Sequence, residues 1–409
     1  MSPGLALARV TRRASRLVNA RASGPASSAR WFSSLGDRDA PPLAYELIEP
    51  PESVSPSEAA SAPLAIVLHG LMGSGRNWRT FTRALSRRVA DEGVPWRFAL
   101  VDNLWHGRTF SDAALREKRH PPRGPFRSAA RPDAPCAVDL AADAVAAVAE
   151  HIREHVTGEL LTNEVPPGFP PAAAVLGHSL GGKIALRALA KTAALARHSK
   201  ETQYPYGLPR AQCWTLDTVP SGVASASDPH GVRRVLDAVA SLPREFASRD
   251  ALRVALEAYS ADQKNAKAKF PKDLVDWLGT NLVPVDTRLG PLSPLTWVFD
   301  VEGACALYDA YELKDEEALR VCVDPPNAYE TRVVRAEKSQ RWDEHVLVKL
   351  RSASADPKKS VRLHVLPNAG HWLHVDNPDG LRALIAPELV RLGKELREYT
   401  LRGANAKGV

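Results

Sequence analysis

The chain has 409 residues, a hydrophobic fraction of 44% and a formal net charge of +7, which suits one large domain with a sizeable core better than two independent domains. No apolar run approaches the roughly 18 residues of a membrane span, and the basic stretch from Arg116 to Arg131 is broken by prolines, so no basic footprint for nucleic acid is formed. The four cysteines, Cys136, Cys213, Cys305 and Cys322, are scattered without metal-ligand spacing and read as free thiols in a reducing compartment.

Residues 1–36 carry Arg9, Arg12, Arg13, Arg16, Arg21 and Arg30, several serines, and no Asp, Glu or Lys. Without a compact apolar core behind the charges, this is the composition of an organelle transit peptide and not of a secretory signal. Leu5, Leu7, Val10, Leu17 and Val18 supply the apolar contribution of a basic amphipathic helix, and Arg30-Trp31-Phe32-Ser33-Ser34 predicts cleavage near Phe32. Mitochondrial import is expected, with chloroplast import as the alternative. Once the six arginines are removed, the remaining surface is nearly balanced in charge.

Beyond the leader, strands are expected at 43–48 and 64–68, separated by a Pro/Ser-rich turn. The second runs into His69-Gly70-Leu71-Met72-Gly73-Ser74-Gly75. A phosphate loop would need a Gly-Lys-Ser/Thr ending, which is missing. The loop instead suits an oxyanion hole, with the backbone N–H of Leu71 as donor and Met72 as second choice. A third strand follows at 97–101, then an insertion at 117–135 whose Pro, Arg and Ser content offers no periodic face. Val138, Ala141, Ala142, Val145, Val148, Ile152 and Val156 recur at the three- and four-residue spacing of a helix packing on a sheet.

The most informative segment is Gly177-His178-Ser179-Leu180-Gly181, between the strand-like 172–176 and the helix-like 183–190. Strand, Gly-x-Ser-x-Gly turn and helix stand in the order of a nucleophile elbow, where a strained backbone holds the serine hydroxyl out from the sheet edge. Ser179 is the expected nucleophile, and Leu180, immediately after it, the second oxyanion donor. A further insertion is read at 199–209, and the strand at 211–216 ends at Asp217.

From 225 to 324 the pattern is helical and irregular, with helices expected over 232–242, 252–259, 274–282 and 304–313. This insertion interrupts two strands. Trp277, Trp297 and Phe299 read as core. The sheet resumes at 329–335 and again at 361–366, whose exit loop Pro367-Asn368-Ala369-Gly370-His371-Trp372-Leu373-His374 offers His371 as the general base, with His374 as its local competitor. His69, His106 and His178 read as loop-bracing residues that hydrogen-bond backbone. Asp217, Glu337 and Asp343 are the acids available to orient the base. The final helix, from about Asp379, is expected to kink or break at Pro387.

The blocks His69-Gly70-Leu71-Met72-Gly73-Ser74, Asp102-Asn103-Leu104-Trp105-His106-Gly107-Arg108-Thr109, Gly177-His178-Ser179-Leu180-Gly181-Gly182-Lys183 and Ala369-Gly370-His371-Trp372 resemble those of the α/β-hydrolase superfamily. More narrowly they look like the abhydrolase domain-containing protein 11 group of mitochondrial serine hydrolases and related small bacterial esterases. The resemblance runs from about residue 43 to the end of the chain, with one departure: Leu104-Trp105 stands where the group commonly has Arg-Asn. It implies an α/β-hydrolase fold, a mostly parallel sheet flanked by helices with a helical cap inserted before the penultimate strand. The corresponding division is a transit peptide at 1–36, core at 37–224, cap at 225–324 and core again at 325–409.

The chain order Ser, acid, His is that of α/β-hydrolases. The loop that usually carries the acid has Ser339 where aspartate is expected, and Asp217 resembles the subgroup in which the acid has moved to the earlier strand and a serine assists. The implied site is therefore Ser179, Asp217, His371 and Ser339, with Leu71 and Leu180 as oxyanion donors. Ser179 at the elbow speaks against the epoxide hydrolase and dehalogenase branches, which need Asp there. The expected activity is cofactor-free hydrolysis of a small-molecule carboxylic ester or thioester through an acyl-enzyme. A ligand-binding or partner-regulating protein that keeps the hydrolase shell is the alternative from another class.

Overall fold

The structure is a computed structural model that describes residues 41–111, 126, 136–153, 172–198, 211–222, 231–262, 269–327 and 329–406. The expected leader with its cleavage point, the insertion at 199–209 and all but one residue of that at 117–135 lie outside the described residues. In chain order the strands are β1 (Tyr45–Ile48), β2 (Leu64–Leu68), β3 (Arg97–Val101), β4 (Ala174–His178), β5 (Ala211–Leu216), β6 (Glu245–Phe246), β7 (Leu282–Pro284), β8 (Leu295–Trp297), β9 (Tyr329–Ala336) and β10 (Val361–Leu366).

Seven of these form one sheet in the order β1-β3-β2-β4-β5-β9-β10. All pairings are parallel except β1 with β3. Every residue of β2, β3 and β4 is buried, because helices cover both faces of a parallel sheet. The two-residue alternation of side chains divides each strand between two cores. Leu64, Ile66 and Leu68 of β2 join Val175, Cys213 and Val333 beneath the helices Ala137–Ile152 and Leu180–His198. Ala65 and Val67 turn to the opposite face with Leu176, Trp214 and Val334, covered by the helices Arg79–Asp91 and Pro378–Ala406.

The helix Pro378–Ala406 runs through Pro387 as one element, so the expected break does not occur. A proline there removes one hydrogen bond, whereas Leu381, Ile385, Leu389 and Leu392 are all fully buried against the sheet on both sides of it. No helix among the described residues is long and apolar enough to cross a membrane.

Between β5 and β9, before the penultimate strand, the chain inserts the helices Val232–Ser241, Arg249–Asp262, Lys272–Thr280, Val301–Glu312 and Glu316–Val323. The segment also contains a three-stranded antiparallel sheet, β6-β8-β7, which the sequence pattern did not indicate. Trp297 of β8 is core, as expected, edge-on to Phe246 at 5.5 Å. Phe299 bridges to His106 of the core and stacks on it at 5.8 Å.

The exits of β2, β4, β5, β9 and β10 all lie at the carboxyl end of the parallel sheet, where ligand sites of open α/β sheets form. That geometry gathers the loops holding Leu71, Ser179, Asp217, Ser339 and His371.

Candidate active site

Ser179 sits between β4 and the helix Leu180–His198 with φ 51°, a left-handed backbone that costs a non-glycine residue about 1–3 kcal/mol. Two glycines make this turn possible. A Cβ on Gly177 would stand 2.4 Å from the Gly181 carbonyl, and one on Gly181 would stand 2.5 Å from the Leu68 carbonyl oxygen. The turn is fixed by the Ser179 N–H donating to Leu216 O at 3.0 Å and by Thr218 Oγ1 donating to Ser179 O at 2.9 Å.

Asp217 follows β5, also in left-handed conformation with φ 44°, and its side chain is fully buried. His371 Nδ1 lies 2.7 Å from its Oδ2. The other oxygen, Oδ1, accepts from Trp342 Nε1 at 2.8 Å and from the Ala336 N–H at 3.2 Å. Burial alone would raise this carboxyl, but the bonds from His371, Trp342 and Ala336 hold it below the usual carboxylate value. With a carboxylate acceptor at Nδ1, the proton of a neutral His371 belongs there, leaving the Nε2 lone pair free to take a proton. Burial, then the nearby Arg341 charge, lowers the imidazole pKa, and Asp217 only partly opposes them. His371 therefore stays neutral at neutral pH.

The other acids are occupied elsewhere. Glu337 accepts from the Asn368 N–H at 2.7 Å, and Asp343 caps the helix Glu344–Ala355 by accepting from His345 N–H. His374 stacks on Trp78, ring centroids 4.0 Å apart, and its Nδ1 has no partner among the described residues. Ser339, expected to assist the acid, has a buried Oγ that makes no hydrogen bond among the described residues, and the indole of Trp342 donates to the remaining carboxylate oxygen. Nothing in the sequence separated Trp342 from core tryptophans, so this partner was missed.

Ser179, His371 and Leu71 line one cavity of about 370 Å³ with Val232, Leu274 and Trp277 from the inserted segment. No Ser179–His371 hydrogen bond is formed, a contact that commonly tightens only around substrate. His371 keeps 23% of its side-chain surface accessible, enough to be reached from this space. Trp277, read as core from the sequence, lines the cavity and lies 5.6 Å from Trp372.

Of the two amides considered upstream, that of Met72 donates to His106 Nε2 at 3.0 Å, which leaves Leu71 as the donor candidate. Leu180 opens the elbow helix, where amides lack intrahelical acceptors and the helix dipole favours negative charge. The three neighbouring histidines do brace loops. His69 Nε2 accepts from Asn103 N–H at 3.0 Å, His106 Nδ1 lies 2.9 Å from Leu104 O, and His178 Nε2 lies 2.7 Å from His371 O. Burial lowers the pKa of each, to about 4 for His69 and about 3 for His106, so all three remain neutral.

The inserted helix Val301–Glu312 contributes a residue that periodicity could not single out. The Tyr311 hydroxyl faces Ser179 and the Val219 backbone, yet makes no hydrogen bond of normal geometry. Burial raises its pKa to about 12, so it remains a phenol.

The sequence profile of the alpha/beta hydrolase family matches residues 65–384. A search of curated proteins gives no match. Among solved structures, a peroxisomal alpha-beta-hydrolase from Saccharomyces cerevisiae is 15% identical, with a TM-score of 0.50 over 86% of this chain and 82% of that one. An esterase from a marine microorganism is 18% identical, with a TM-score of 0.48 over 86% of this chain and 99% of that one. With a sheet that is parallel but for its first strand, a helical insertion before the penultimate strand and a family match across more than half its length, the chain belongs to the alpha/beta hydrolase family.

Proposed function

We propose that the protein is a serine hydrolase that cleaves carboxylic esters or thioesters through an acyl-enzyme, without a cofactor. The observation that carries this reading is the 2.7 Å contact between His371 Nδ1 and the buried Asp217 carboxylate, in a cavity shared with Ser179 on its strained elbow. In the mechanism, His371 Nε2 takes the Ser179 proton as Oγ attacks the scissile carbonyl. The imidazolium then returns that proton to the leaving alkoxide or thiolate. Asp217 holds the imidazole tautomer and stabilises its cation. The N–H groups of Leu71 and Leu180 receive the oxyanion, and water attacks the acyl-enzyme by the same route.

The segment 225–324 acts in this reading as the cap, its Val232, Leu274 and Trp277 giving the acyl group apolar contact. The four sequence blocks further support a place beside the abhydrolase domain-containing protein 11 group. Localisation is proposed from the acid-free, arginine-rich residues 1–36 alone.

A fluorophosphonate probe tests the chemistry: it labels the wild type at Ser179 and fails to label Ser179→Ala. Equal labelling of both proteins refutes the assignment, and no labelling of either favours a binding protein that keeps the hydrolase shell. For the leader, N-terminal sequencing of protein recovered from mitochondria is expected to begin near Phe32. An intact Met1, or accumulation only in plastids, contradicts import into mitochondria.

A further inference from the structure

Arg341 stands in the loop between β9 and the helix Glu344–Ala355 and lines the cavity together with Ser179 and His371. It is half-buried, and its charge acts on His371 and on the phenols of Tyr308 and Tyr311, all neutral groups. Two other half-buried arginines have counter-charges, Arg187 with Asp139 and Asp315, and Arg233 with Asp309 and Glu312, whereas Arg335 on β9, which does not line the cavity, donates only to Ser339 O. Arg341 forms no ion pair among the described residues. Asp273 and Asp376 also line the cavity, but neither pairs with it. Asp376 instead accepts from the Gly370 N–H at 2.7 Å.

A guanidinium offers five N–H donors in a planar fork that matches a carboxylate. With no counter-charge on the protein side, the fork is available to an anion that enters the cavity. The same cavity has apolar walls in Val232, Val235, Leu274 and Trp277. We infer that Arg341 is a specificity-determining residue that receives a carboxylate carried on the acyl chain, so that the substrates are monoesters or monothioesters of dicarboxylic acids. This rests on the serine hydrolase reading and narrows its substrate class.

The arrangement also couples binding to basicity. The groups facing His371 are Asp217 from the end of β5, Arg341 from the loop after β9, His178 from β4, and His374 and Asp376 from the short helix Leu373–Asp376. Both neighbouring histidines are neutral, so Arg341 is the cation that lowers His371. A carboxylate bound to Arg341 cancels that field and makes His371 a stronger base. The acid limb of kcat, which reports the complex, then lies at higher pH than that of kcat/KM, which reports the free enzyme. This separation is expected only for carboxylated substrates.

The test compares the 4-methylumbelliferyl monoester of adipic acid with 4-methylumbelliferyl hexanoate, which has the same chain length without the carboxylate. Wild type is expected to prefer the adipate, and the adipate-to-hexanoate ratio of kcat/KM to fall by about 10- to 100-fold in Arg341→Gln, as for loss of one charge-assisted hydrogen bond. Arg341→Lys, which keeps the charge but loses the fork, falls between. An unchanged ratio in Arg341→Gln, or no adipate preference in wild type, overturns the inference. Ser179 labelling by fluorophosphonate is measured on the same samples. Labelled enzyme without discrimination overturns this inference alone, whereas absent labelling and turnover overturn the hydrolase reading with it.

Discussion

At His371 the balance of burial, Arg341 and Asp217 fixes where activity begins on the pH scale. Only the neutral imidazole can act as base, and its pKa in the folded protein lies below the ordinary 6.5 because burial and Arg341 outweigh the carboxylate. Under the proposed mechanism, kcat/KM for an uncharged ester therefore persists as pH falls through 6.5 and is lost only lower down. A pH profile whose acid midpoint lies at or above that value contradicts the account. The carboxylate itself is tested by Asp217→Asn, expected to lower kcat by about 10⁴-fold, as loss of a triad acid can. Its remaining oxygen is held by Trp342 and Ala336. Trp342→Phe removes one hydrogen bond to a charged group, about 1.5–3 kcal/mol, and lowers kcat by roughly tenfold or more. Ser339→Ala breaks no hydrogen bond and leaves kcat unchanged; a larger loss from Ser339→Ala than from Trp342→Phe in steady-state assays reverses the assignment.

Among the elements, β2, β3 and β5 were legible in the sequence as short, mostly apolar runs, and β10 because Val361, Leu363 and Val365 alternate with Arg362 and His364; Gly, Asp or Pro follows each within two residues. The elbow was legible because the chemistry of that turn needs glycine on both sides of the serine. The strands β6, β7 and β8 span two or three residues, too few to display a two-residue period. Residues whose role depends on a distant partner were equally hidden: Trp342 meets Asp217 across 125 positions. Tyr311 shares the helical spacing of Tyr308, on which it stacks at 6.0 Å, so sequence gives no reason to send one hydroxyl to Ser179. That hydroxyl is buried without a bond of normal geometry, a condition costing about 1–3 kcal/mol. Tyr311→Phe keeps the ring and removes the unsatisfied group, so the denaturant midpoint is expected to rise with an unchanged slope. A lower midpoint shows that the hydroxyl is bonded to Ser179 or to the Val219 backbone.

On the scale of the whole molecule, the inserted segment and the sheet are fastened at a buried cation directly under the elbow. Lys183, on the elbow helix, is 1% exposed; its Nζ donates to Pro220 O at 2.7 Å and to Ser221 O at 3.3 Å, and lies 3.4 Å from Asp315. Asp315 in turn caps the helix Glu316–Val323 through the Ala318 N–H and pairs with Arg187 at 3.1 Å. Asp315→Asn keeps a side chain well suited to the cap but strips the charge, leaving Lys183 buried with carbonyl partners only. Breaking a buried pair from one side costs about 3–5 kcal/mol, whereas replacing both members by apolar residues is often neutral. Asp315→Asn is thus expected to lower stability by that amount near neutral pH, and Lys183→Met with Asp315→Asn, which removes both charges and keeps the cap, by less. The sign of the pH dependence separates charge from packing. Burial lowers the Lys183 pKa from its ordinary 10.5, and Asp315 is the group that opposes the shift. In Asp315→Asn the folded state therefore gives up its proton at lower pH than the unfolded chain does. Where the unfolded state binds more protons, stability rises with pH. The deficit of the variant must then shrink as pH is raised toward the ordinary lysine value, and urea midpoints measured in alkaline and neutral buffer report it. A deficit that is constant across that range places the loss in packing of the helix start instead of in the unpaired ammonium.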